Sequence, residues 1–483
     1  MNAESSGPTL RGNDYGPLQR TAEDWVPALR VSVVIPAHGH QGKLDVALAS
    51  LAAQTYPSSL LEVVVVDDGS EPPLRLPEIR PESTRIISPP PDGWASAHAT
   101  NCGVAQSEGD VVLRLDSDML VFADHVESQL RWHHAADYLA VLGHKRFVDY
   151  KAGDLDPAAV FDAVRAGRAA ELFDVDASEP QWIEKIIDAT GGLRQADHRA
   201  FRVLVGASFS VHRSLYEASG GMDADVLLGS DTIFGYRLHQ AGAVFVPDDD
   251  SSSWHLGPRQ IAARGHLAKD YRRPHIANRV PELDLKRPRA ARVWDTPLAD
   301  VVVDAGDGVE SCVDDILTGS KPDVRVTILG DWPEPAAGRH KVLDDPDLEA
   351  RLLLESYKGE SRVRFAAKAA ADPKVPYRIR LPAALEPGPD AVASLIAYAN
   401  RHRLGLVELA LPEGEVRLER TAAAARAEHL GVAIDAVWGS ARLTAGSIAE
   451  AFGAGSGTRD ARGGRQRGLR GKARRVIRRV LDV

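Results

Sequence analysis

Residues 111–118 read VVLRLDSD, an apolar run that ends in two aspartates separated by one serine. Val111–Leu115 has the composition of a buried strand, and Arg114 is its one polar interruption. Asp116 and Asp118 stand where this strand is expected to end. Two carboxylates this close repel each other unless a cation or hydrogen-bond donors lie between them. Taken alone, Asp-Ser-Asp fits either a metal site or an ordinary turn.

Other Val-rich runs precede this one and alternate with helical segments. The strands are VSVVIP at 31–36, LEVVVVDDGS at 61–70 and RIIS at 85–88, and the helices are expected at 43–54 and 95–107. Continuous apolar strands that alternate with helices are typical of a parallel sheet covered on both faces. The sequence therefore predicts an α/β fold with a mostly parallel, Rossmann-like sheet. Further along, we expect a strand at 201–211, a helix at 229–242, a strand at 243–247 and a loop at 248–258.

Polar and turn residues follow three of these strands. They are the PAHGH loop at 36–40, the pair Asp67 and Asp68, and the pair Asp116 and Asp118. Ligands of open α/β sheets bind outside the carboxyl ends of the strands. We therefore expect the three segments to line one crevice, and their grouping favours a binding site over an isolated turn.

The composition is that of a globular protein and argues against several other classes. The chain has 483 residues, which suggests two or three domains, and 44% of them are hydrophobic and 26% charged. No apolar run has the length of a membrane helix, and the first residues lack a signal-peptide pattern. The two cysteines form neither a disulfide framework nor a metal-ligand pattern. We therefore expect a cytoplasmic protein.

Charge is distributed unevenly along the chain. The net charge is −10, yet residues 459–479 contain ten Lys or Arg and one acidic residue, so the remainder is strongly acidic. An acidic body argues against a general nucleic-acid binder. The end of the chain, GLRGKARRVIRRVLDV at 468–483, predicts a basic amphipathic helix. We expect this helix to make peripheral contact with the inner face of a membrane, and a solvated tail or an RNA-binding arm are the alternatives.

Two common nucleotide-binding motifs can be tested against the first strand. The dinucleotide fingerprint G-x-G-x-x-G is absent after it, which argues against a hydride-transfer enzyme. AHGHQGK at 37–43 imitates the Gly-Lys ending of a P-loop. However, Leu44 stands where a P-loop has the hydroxyl that binds magnesium. A P-loop nucleotide-binding protein is therefore a minor alternative.

Four ordered segments carry a family resemblance: VSVVIPAHGH, VVVVDDGS, ATNCGVAQSEGDVVLRLDSD and GSDTIFGYRLHQAG. Together they resemble the family 2 glycosyltransferases across residues 31–258. The resemblance implies a GT-A fold and an inverting hexosyltransferase that moves a sugar from a nucleotide-diphosphate sugar to a hydroxyl acceptor. It favours a UDP-sugar as donor and a glycan or lipid-linked acceptor, as in cell-envelope or exopolysaccharide synthesis. A non-catalytic scaffold that binds sugar nucleotides is the main alternative.

The resemblance also implies roles for individual residues. A divalent cation, Mn²⁺ or Mg²⁺, would neutralise the leaving diphosphate, and its implied ligands are Asp118, His255 and Asp116. Asp231 is the implied catalytic base, with a helix N-cap as the alternative reading. The nucleotide-binding positions are Pro36, Ala37, His38, Asp68 and Asp116. The basic partner of the pyrophosphate stays open among Arg202, Arg237 and Arg259.

The second half of the chain repeats the α/β pattern in weaker form. At a constant offset, YRIRLPAALEPGPDAVASLI at 377–396 aligns with VVLRLDSDMLVFADHVESQL at 111–130, with Pro382 and Ala384 in place of the two aspartates. We expect a degenerate, partial GT-A-like repeat that serves acceptor binding or homodimerisation, and an unrelated α/β domain is the alternative. The predicted divisions are a loose lead-in at 1–30, the catalytic domain at 31–295, the second domain at 296–450, and a linker with basic tail at 451–483.

Overall fold

The computed structural model describes residues 8–18, 25–257, 265–283, 287, 292–334 and 341–452. The strands of its first part are β1 Val31–Ala37, β2 Leu61–Asp67, β3 Thr84–Ile87, β4 Val111–Leu115, β5 Met119–Val121, β6 Leu139–Gly143, β7 Arg146–Val148, β8 Glu179–Pro180, β9 Ser208–His212, β10 Val244–Asp248 and β11 Ser253–Leu256. The helices of this part are α1 Gln41–Ala52, α2 Ala95–Ala105, α3 His125–Ala135, α4 Pro157–Arg165, α5 Glu184–Ala189, α6 Arg213–Ala218, α7 Ser230–Gln240 and α8 Gly265–Arg279.

Seven of these strands form one mixed sheet in the order β10-β6-β9-β4-β1-β2-β3. β9 runs antiparallel to β4 and β6, and the other neighbouring pairs are parallel. Val33 on β1 packs in the same core as Leu44 of α1, whereas Val34 packs with Ala99 of α2 on the opposite face. Burial on both faces explains why the strand sequences are continuous apolar runs. The predicted α/β fold with a mostly parallel sheet is confirmed.

A small second sheet, in the order β5-β11-β7-β8, begins four residues after β4 ends. β11 pairs antiparallel with β5 and parallel with β7, and it places His255 opposite Met119. The predicted loop at 248–258 is therefore wrong for Ser253–Leu256. The Asp- and Ser-rich approach favours a turn locally, but pairing on both sides holds Trp254 and its neighbours as a buried strand.

The predicted strand at 201–211 is only half right. The strand β9 begins at Ser208, and Ala200–Val203 is a short 3-10 helix. Phe201 is fully buried there and packs edge-on against Tyr236 of α7, with ring centroids 5.4 Å apart. A short apolar run looks the same in sequence whether it is a strand or a buried turn of helix, so periodicity could not separate the two.

The N-terminal segment is not a loose lead-in where the structure describes it. Leu10 is fully buried, and Asn13 exchanges hydrogen bonds with the main chain of Phe245 on β10. Its amide also donates to the carbonyl of Leu193. Residues 8–18 therefore close one edge of the first core. The polar composition of this segment predicts a loose structure. The prediction is wrong because the partners of its polar side chains lie far away in the sequence, where a local pattern does not reveal them.

The second part of the chain has its own seven-stranded sheet. Its strands are β12 Ala299–Asp304, β13 Val324–Leu329, β14 Val363–Ala366, β15 Tyr377–Leu381, β16 Leu404–Leu411, β17 Gly414–Arg420 and β18 Gly439–Thr444. Its helices are α9 Val309–Thr318, α10 Leu348–Ser356, α11 Ala391–His402, α12 Thr421–Leu430, α13 Ile434–Val437 and α14 Ile448–Phe452. The sheet order is β14-β13-β12-β15-β17-β16-β18.

The two large sheets have the same order and the same strand directions. Taken in chain order, the strands β12 to β18 occupy the same positions in the second sheet as seven strands do in the first, namely β1, β2, β3, β4, β6, β9 and β10. β17 is antiparallel to β15 and β16, as β9 is to β4 and β6, and β18 is parallel to β16. Asp124 precedes α3 and Asp390 precedes α11, as the aligned sequences predict. A short turn joins β16 to β17 where the first part has residues 144–207 between β6 and β9.

The predicted division at 295/296 stays a prediction, and the two large sheets lie on either side of it. Buried ion pairs and hydrogen bonds join the two parts, among them Arg420 with Glu282 at 2.9 Å. No helix in the described ranges has the length and hydrophobicity needed to cross a bilayer. The predicted basic tail beyond Phe452 and the candidate Arg259 lie outside the described residues.

Candidate metal and nucleotide site

Three of the predicted site residues come together at the carboxyl end of β4. Asp116 and Asp118 lie between β4 and β5, and His255 reaches them from β11. One ligand atom from each residue lies within 4.8 Å of those of the other two. Nε2 of His255 is 3.5 Å from Oδ1 of Asp118. The small sheet creates this cluster, because the β5–β11 pairing brings residue 255 next to the end of β4.

The histidine is held by packing. Its ring lies against Phe147 with centroids 4.6 Å apart, and the side chain is almost fully buried. Within the described ranges, Nδ1 of His255 is buried without a hydrogen-bond partner, while Nε2 faces Asp118. Two carboxylates and an imidazole form a mixed oxygen and nitrogen donor set, which suits a first-row divalent cation such as Mn²⁺.

Arg114, the single polar residue of the apolar strand β4, binds a residue of the site. Its guanidinium is buried beneath the site, where Nη2 lies 2.7 Å from Oδ1 of Asp116 and 2.8 Å from Oγ of Ser96. Burial raises the pKa of Asp116, but the positive charges of Arg114, His255 and Lys145 and the hydrogen bond from Arg114 together lower it below the usual value. Asp116 is therefore ionised at neutral pH.

Lys43 is a site residue that the sequence analysis did not assign. It lies in the first turn of α1, and its Nζ is 3.4 Å from Oδ2 of Asp118 and donates to the carbonyl of Leu256. Its ammonium is a candidate partner for a phosphate group at the site. The signal was present in AHGHQGK, but the lysine was considered there only as part of a P-loop.

The loops after β1 and β2 are joined by hydrogen bonds. Oδ1 and Oδ2 of Asp67 accept bonds from the main-chain amides of Ser70 and Leu74, at 3.0 and 2.9 Å. Asp67 therefore orders the turn. Oδ2 of Asp68 accepts a bond of 2.7 Å from the amide of Ala95, and the carbonyl of Asp68 lies 2.9 Å from Nδ1 of His38. The predicted nucleotide-binding residues Pro36 and Ala37 are buried at the end of β1.

A strained segment lies between the two aspartates assigned to the nucleotide. Ala95 has a φ of 73°, an unusual value for a residue with a Cβ. Its amide binds Asp68, and the next residue, Ser96, binds Arg114 under Asp116. Trp94 is 63% exposed at the start of this segment. Backbone strain of this kind collects at ligand sites, and nothing in the local sequence indicated it.

Asp231 lies at the same edge of the sheet by topology. α7 ends at Gln240, a few residues before β10 begins, and β10 runs in the same direction as β4. The start of α7 therefore points to the carboxyl edge, where Asp116 and Asp118 lie. Asp231 is half-buried, and its Oδ1 accepts a bond of 2.8 Å from the amide of Thr232.

Two candidates for the pyrophosphate partner are held away from this role. Arg237 donates to Oδ2 of Asp223 at 2.9 Å and to the carbonyl of Gly221. Arg202 lies in the 3-10 helix after α5, where burial and the charge of Arg199 lower its pKa. Neither contacts the metal cluster in the described structure, whereas Lys43 does.

Comparison with known proteins identifies the first part of the chain. Residues 32–197 match the family model for "Glycosyl transferase family 2". "Probable glycosyltransferase YdaM" of Bacillus subtilis (strain 168) is 28% identical over 277 residues, which are 52% of this chain and 60% of that protein. "Hyaluronan synthase" of Pasteurella multocida is 23% identical over 360 residues, which are 70% of this chain and 35% of that protein.

Among solved structures, the mannosyltransferase PcManGT from Pyrobaculum calidifontis, in complex with GDP-Man and Mn²⁺, has a TM-score of 0.34 and 19% identity. That match covers 53% of this chain and 66% of the other chain. The matched part of this chain spans 60% of YdaM and 35% of the hyaluronan synthase, so it corresponds to only part of each of these two relatives. The family match includes Asp68, Asp116 and Asp118 and ends before Asp231 and His255. Residues 32–197 are therefore the part of the chain that matches the family 2 glycosyltransferases.

Proposed function

We propose that this protein is a metal-dependent, inverting glycosyltransferase that moves a sugar from a nucleotide-diphosphate sugar to a hydroxyl acceptor. The observation that supports this most directly is the cluster of Asp116, Asp118 and His255 at the carboxyl edge of a family 2 domain. The names of the relatives agree with glycosyl transfer. In this proposal, the paired aspartates serve a metal site and not a turn alone.

The cluster fits a divalent cation in its chemistry. Asp118 and His255 would be direct ligands, and Asp116 would lie between the cation and the ribose of the donor. Asp116 is kept ionised by Arg114, so it is ready to act as an oxygen ligand. A bound Mn²⁺ or Mg²⁺ would supply positive charge to the leaving diphosphate.

In the proposed chemical step, Asp231 is the base. Its carboxylate accepts the proton of the acceptor hydroxyl while that oxygen forms a bond to the anomeric carbon of the donor. The bond from the anomeric carbon to the diphosphate oxygen breaks, and its electron pair leaves with the nucleotide. Attack from the face opposite the leaving group inverts the anomeric configuration. Lys43, beside Asp118, is our choice for the basic partner of the departing diphosphate.

The nucleoside would lie over the loops that follow β1 and β2. Pro36 and Ala37 would line its pocket, His38 would close the exposed side, and Asp68 would accept a hydrogen bond from the base. One oxygen of Asp68 already binds the amide of Ala95, which orients the carboxylate. A carboxylate acceptor suits the N–H of uracil, so UDP-sugars are the proposed donors.

The wider assignments rest on sequence and topology. We propose that residues 296–450 are a degenerate, partial repeat of the first domain, because both sheets have one strand order and Pro382 and Ala384 replace the aspartates. Its proposed role is acceptor binding or homodimerisation. A glycan or lipid-linked acceptor of the cell envelope, a cytoplasmic location and peripheral membrane contact through the basic tail complete the proposal. A P-loop is set aside, because Lys43 contacts Asp118 and the Leu256 carbonyl instead of completing a phosphate loop.

Calorimetric titration of UDP and then GDP, with Mn²⁺ and then with EDTA, tests the assignment. We expect UDP to bind in Mn²⁺, to lose that binding in EDTA, and to lose it in the variant Asp118→Ala. Asp304→Ala, which removes an exposed carboxylate of the second domain, is the matched control and should bind as the wild type does.

Three results would change the proposal. A preference for GDP would keep the metal site and overturn the assignment of Asp68 to uracil. Failure of the folded protein to bind either nucleotide would reduce Asp-Ser-Asp to a turn. Metal-dependent UDP binding without transfer to any hydroxyl acceptor would support the non-catalytic scaffold instead.

A further inference from the structure

A cavity of about 370 Å³ lies between the two large sheets, away from the metal cluster. Its walls come from the N-terminal segment, from residues 194–200, from the last turn of α7, and from the second domain at 400–403 and 420–439. Its volume is within the range of small-molecule sites in proteins. Residues far apart in sequence therefore meet around one cavity that opens to solvent.

The walls of this cavity carry an excess of positive charge. The cationic side chains are Arg11, Arg194, Arg403, Arg420 and Arg426. The walls also contain two carboxylates, Asp14 and Asp197, and Asp197 is paired with Arg199 at 2.7 Å. Asp14 lies 3.0 Å from Arg194, and Glu282 lies 2.9 Å from Arg420, so two of the five arginines are paired. Arg11, Arg403 and Arg426 have no carboxylate partner among the residues the structure describes.

Arg426 is the most unusual of these side chains. It is 1% exposed, and its guanidinium donates only to main-chain carbonyls, those of Leu10, Gly12, Gly242 and Ala243. Burial lowers the pKa of this group to about 10, against the opposing effect of Tyr138. A buried cation without a counter-ion is costly, so the fold maintains it at the expense of stability.

A buried imidazole lies on the same wall. Nε2 of His239, in the last turn of α7, has no hydrogen bond in the described structure and lies 4.0 Å from Oε2 of Glu282. The ring of Trp438 lies 6.0 Å from that of His239 and forms an apolar side of the cavity. The site thus offers positive charges without carboxylate partners beside an aromatic surface.

We propose that this inter-domain cavity binds a small anion that bears phosphate groups. Guanidinium groups bind phosphate oxygens in a bidentate manner, and several arginines converge here. Such a ligand would contact both parts of the chain and stabilise their association. The site differs from the proposed donor site in its residues and in needing no cation, so it does not rest on the proposed glycosyl transfer.

Calorimetric titration of pyrophosphate into the full chain, in EDTA and at low ionic strength, tests this site. We expect binding, and we expect Arg11→Gln and Arg403→Gln each to weaken it by about tenfold or more, as loss of a charge-assisted hydrogen bond does. Both side chains are exposed at the rim, so these variants should fold. Arg401→Gln, which removes an exposed arginine just outside the cavity, is the matched control and should bind normally.

The variant Lys43→Met separates the two sites, because Lys43 is the proposed phosphate partner of the donor site when no cation is bound. Pyrophosphate binding in EDTA that survives in Lys43→Met supports the inter-domain site, whereas loss of it there would mean that the anion occupies the donor site. Equal weakening by Arg401→Gln would indicate a general charge effect and would overturn the proposal. Absence of binding to the folded wild type would overturn it as well.

Discussion

The carboxylate of Asp118 lies between two nitrogen-bearing side chains, Lys43 from α1 and His255 from the small sheet. Nζ of Lys43 lies 3.4 Å from Oδ2, while Nε2 of His255 lies 3.5 Å from Oδ1. Both contacts are partly buried, and charges interact more strongly in such surroundings than in water. Lys43 therefore neutralises Asp118 in the absence of a cation and lies ready to meet a phosphate.

Replacement of Lys43 tests this arrangement. We expect Lys43→Met to bind Mn²⁺ more tightly than the wild type, on the order of tenfold, because a competing positive charge is removed. UDP should bind more weakly in Mn²⁺, because the phosphate loses an ammonium partner. Electron paramagnetic resonance of free Mn²⁺ and calorimetry with UDP measure the two effects. Lys151→Met at an exposed position is the control, and parallel changes in both affinities would contradict the assignment.

Loss of a direct metal ligand should weaken Mn²⁺ binding more than loss of a residue that only orients a ligand. Partners that only orient a metal ligand contribute about 10–100-fold to metal affinity, so Asp118→Ala should weaken Mn²⁺ binding by more than this. Ser96→Ala removes one partner of Arg114 and should cost less, since Arg114 keeps its ion pair with Asp116. Mn²⁺ titrations of both variants provide the measurement. An unchanged affinity in Asp118→Ala would exclude it as a ligand.

The proposed base can be tested independently of donor binding. We expect Asp231→Asn to lower kcat by about 10²–10⁴-fold, since the amide cannot accept the acceptor proton. UDP affinity in Mn²⁺ should not change, because the substitution preserves shape. Asp225→Asn, at an exposed position in the preceding loop, should transfer sugar at the normal rate. Full activity of Asp231→Asn would exclude it as the base. The helix N-cap is not the alternative in this structure, because Gly229 is the N-cap of α7 and Asp231 lies in the first turn, where it accepts a bond from the amide of Thr232.

The buried pair between the two parts of the chain should be important for stability. Glu282 and Arg420 are both about 1% exposed, so Glu282→Ala leaves a buried guanidinium without its carboxylate. We expect this change to lower the free energy of unfolding by about 3–5 kcal/mol in urea titrations. The double variant Glu282→Met with Arg420→Leu should recover much of the loss. No recovery would mean that packing, and not charge, dominates the contact.

The ion pair of His429 with Asp137 predicts a pH dependence. The hydrogen bond to Asp137 raises the pKa of His429 above its usual 6.5, despite partial burial. Burial raises the pKa of Asp137, but the bond and the charge of His429 together lower it below 3.8. A raised histidine pKa stabilises the fold fully below the unfolded value, and the effect is lost as pH rises through the folded value.

The variant His429→Gln should therefore lower Tm more at about pH 5.5 than at about pH 8.5. Thermal unfolding at the two pH values measures the difference. His266→Gln, at an exposed position on α8, should show no such dependence. A larger effect of His429→Gln at high pH would reverse the predicted sign and exclude the ion pair as its cause.

Sequence patterns predicted the parts of the fold that are local. β1, β2 and β4 are long apolar runs, and their burial on both faces leaves little choice of structure. Asp116 and Asp118 follow from the end of such a strand. β11 was missed because it becomes a strand only through pairing with β5 and β7. The 3-10 helix at Ala200–Val203 was missed because a short apolar segment has no distinctive period.

The features of the site that the sequence did not predict depend on contacts between distant segments. Lys43 meets Asp118 only when α1 packs beside the small sheet, and Arg114 meets Ser96 only when α2 lies over β4. Neither contact has a spacing that a single sequence reveals. Ala95 is a further example, because it has a positive φ without being a glycine, and its amide binds Asp68.

The strand order common to both halves bears on how this chain can be engineered. Residues 144–207 separate β6 from β9, yet the equivalent strands β16 and β17 are joined by a short turn. The seven-stranded order thus occurs with and without that long excursion. In this protein the excursion carries Phe147, which packs against His255, and Phe201 of the first core, so an engineered replacement at this junction has to supply both contacts if the sheet and the cluster are to keep their geometry.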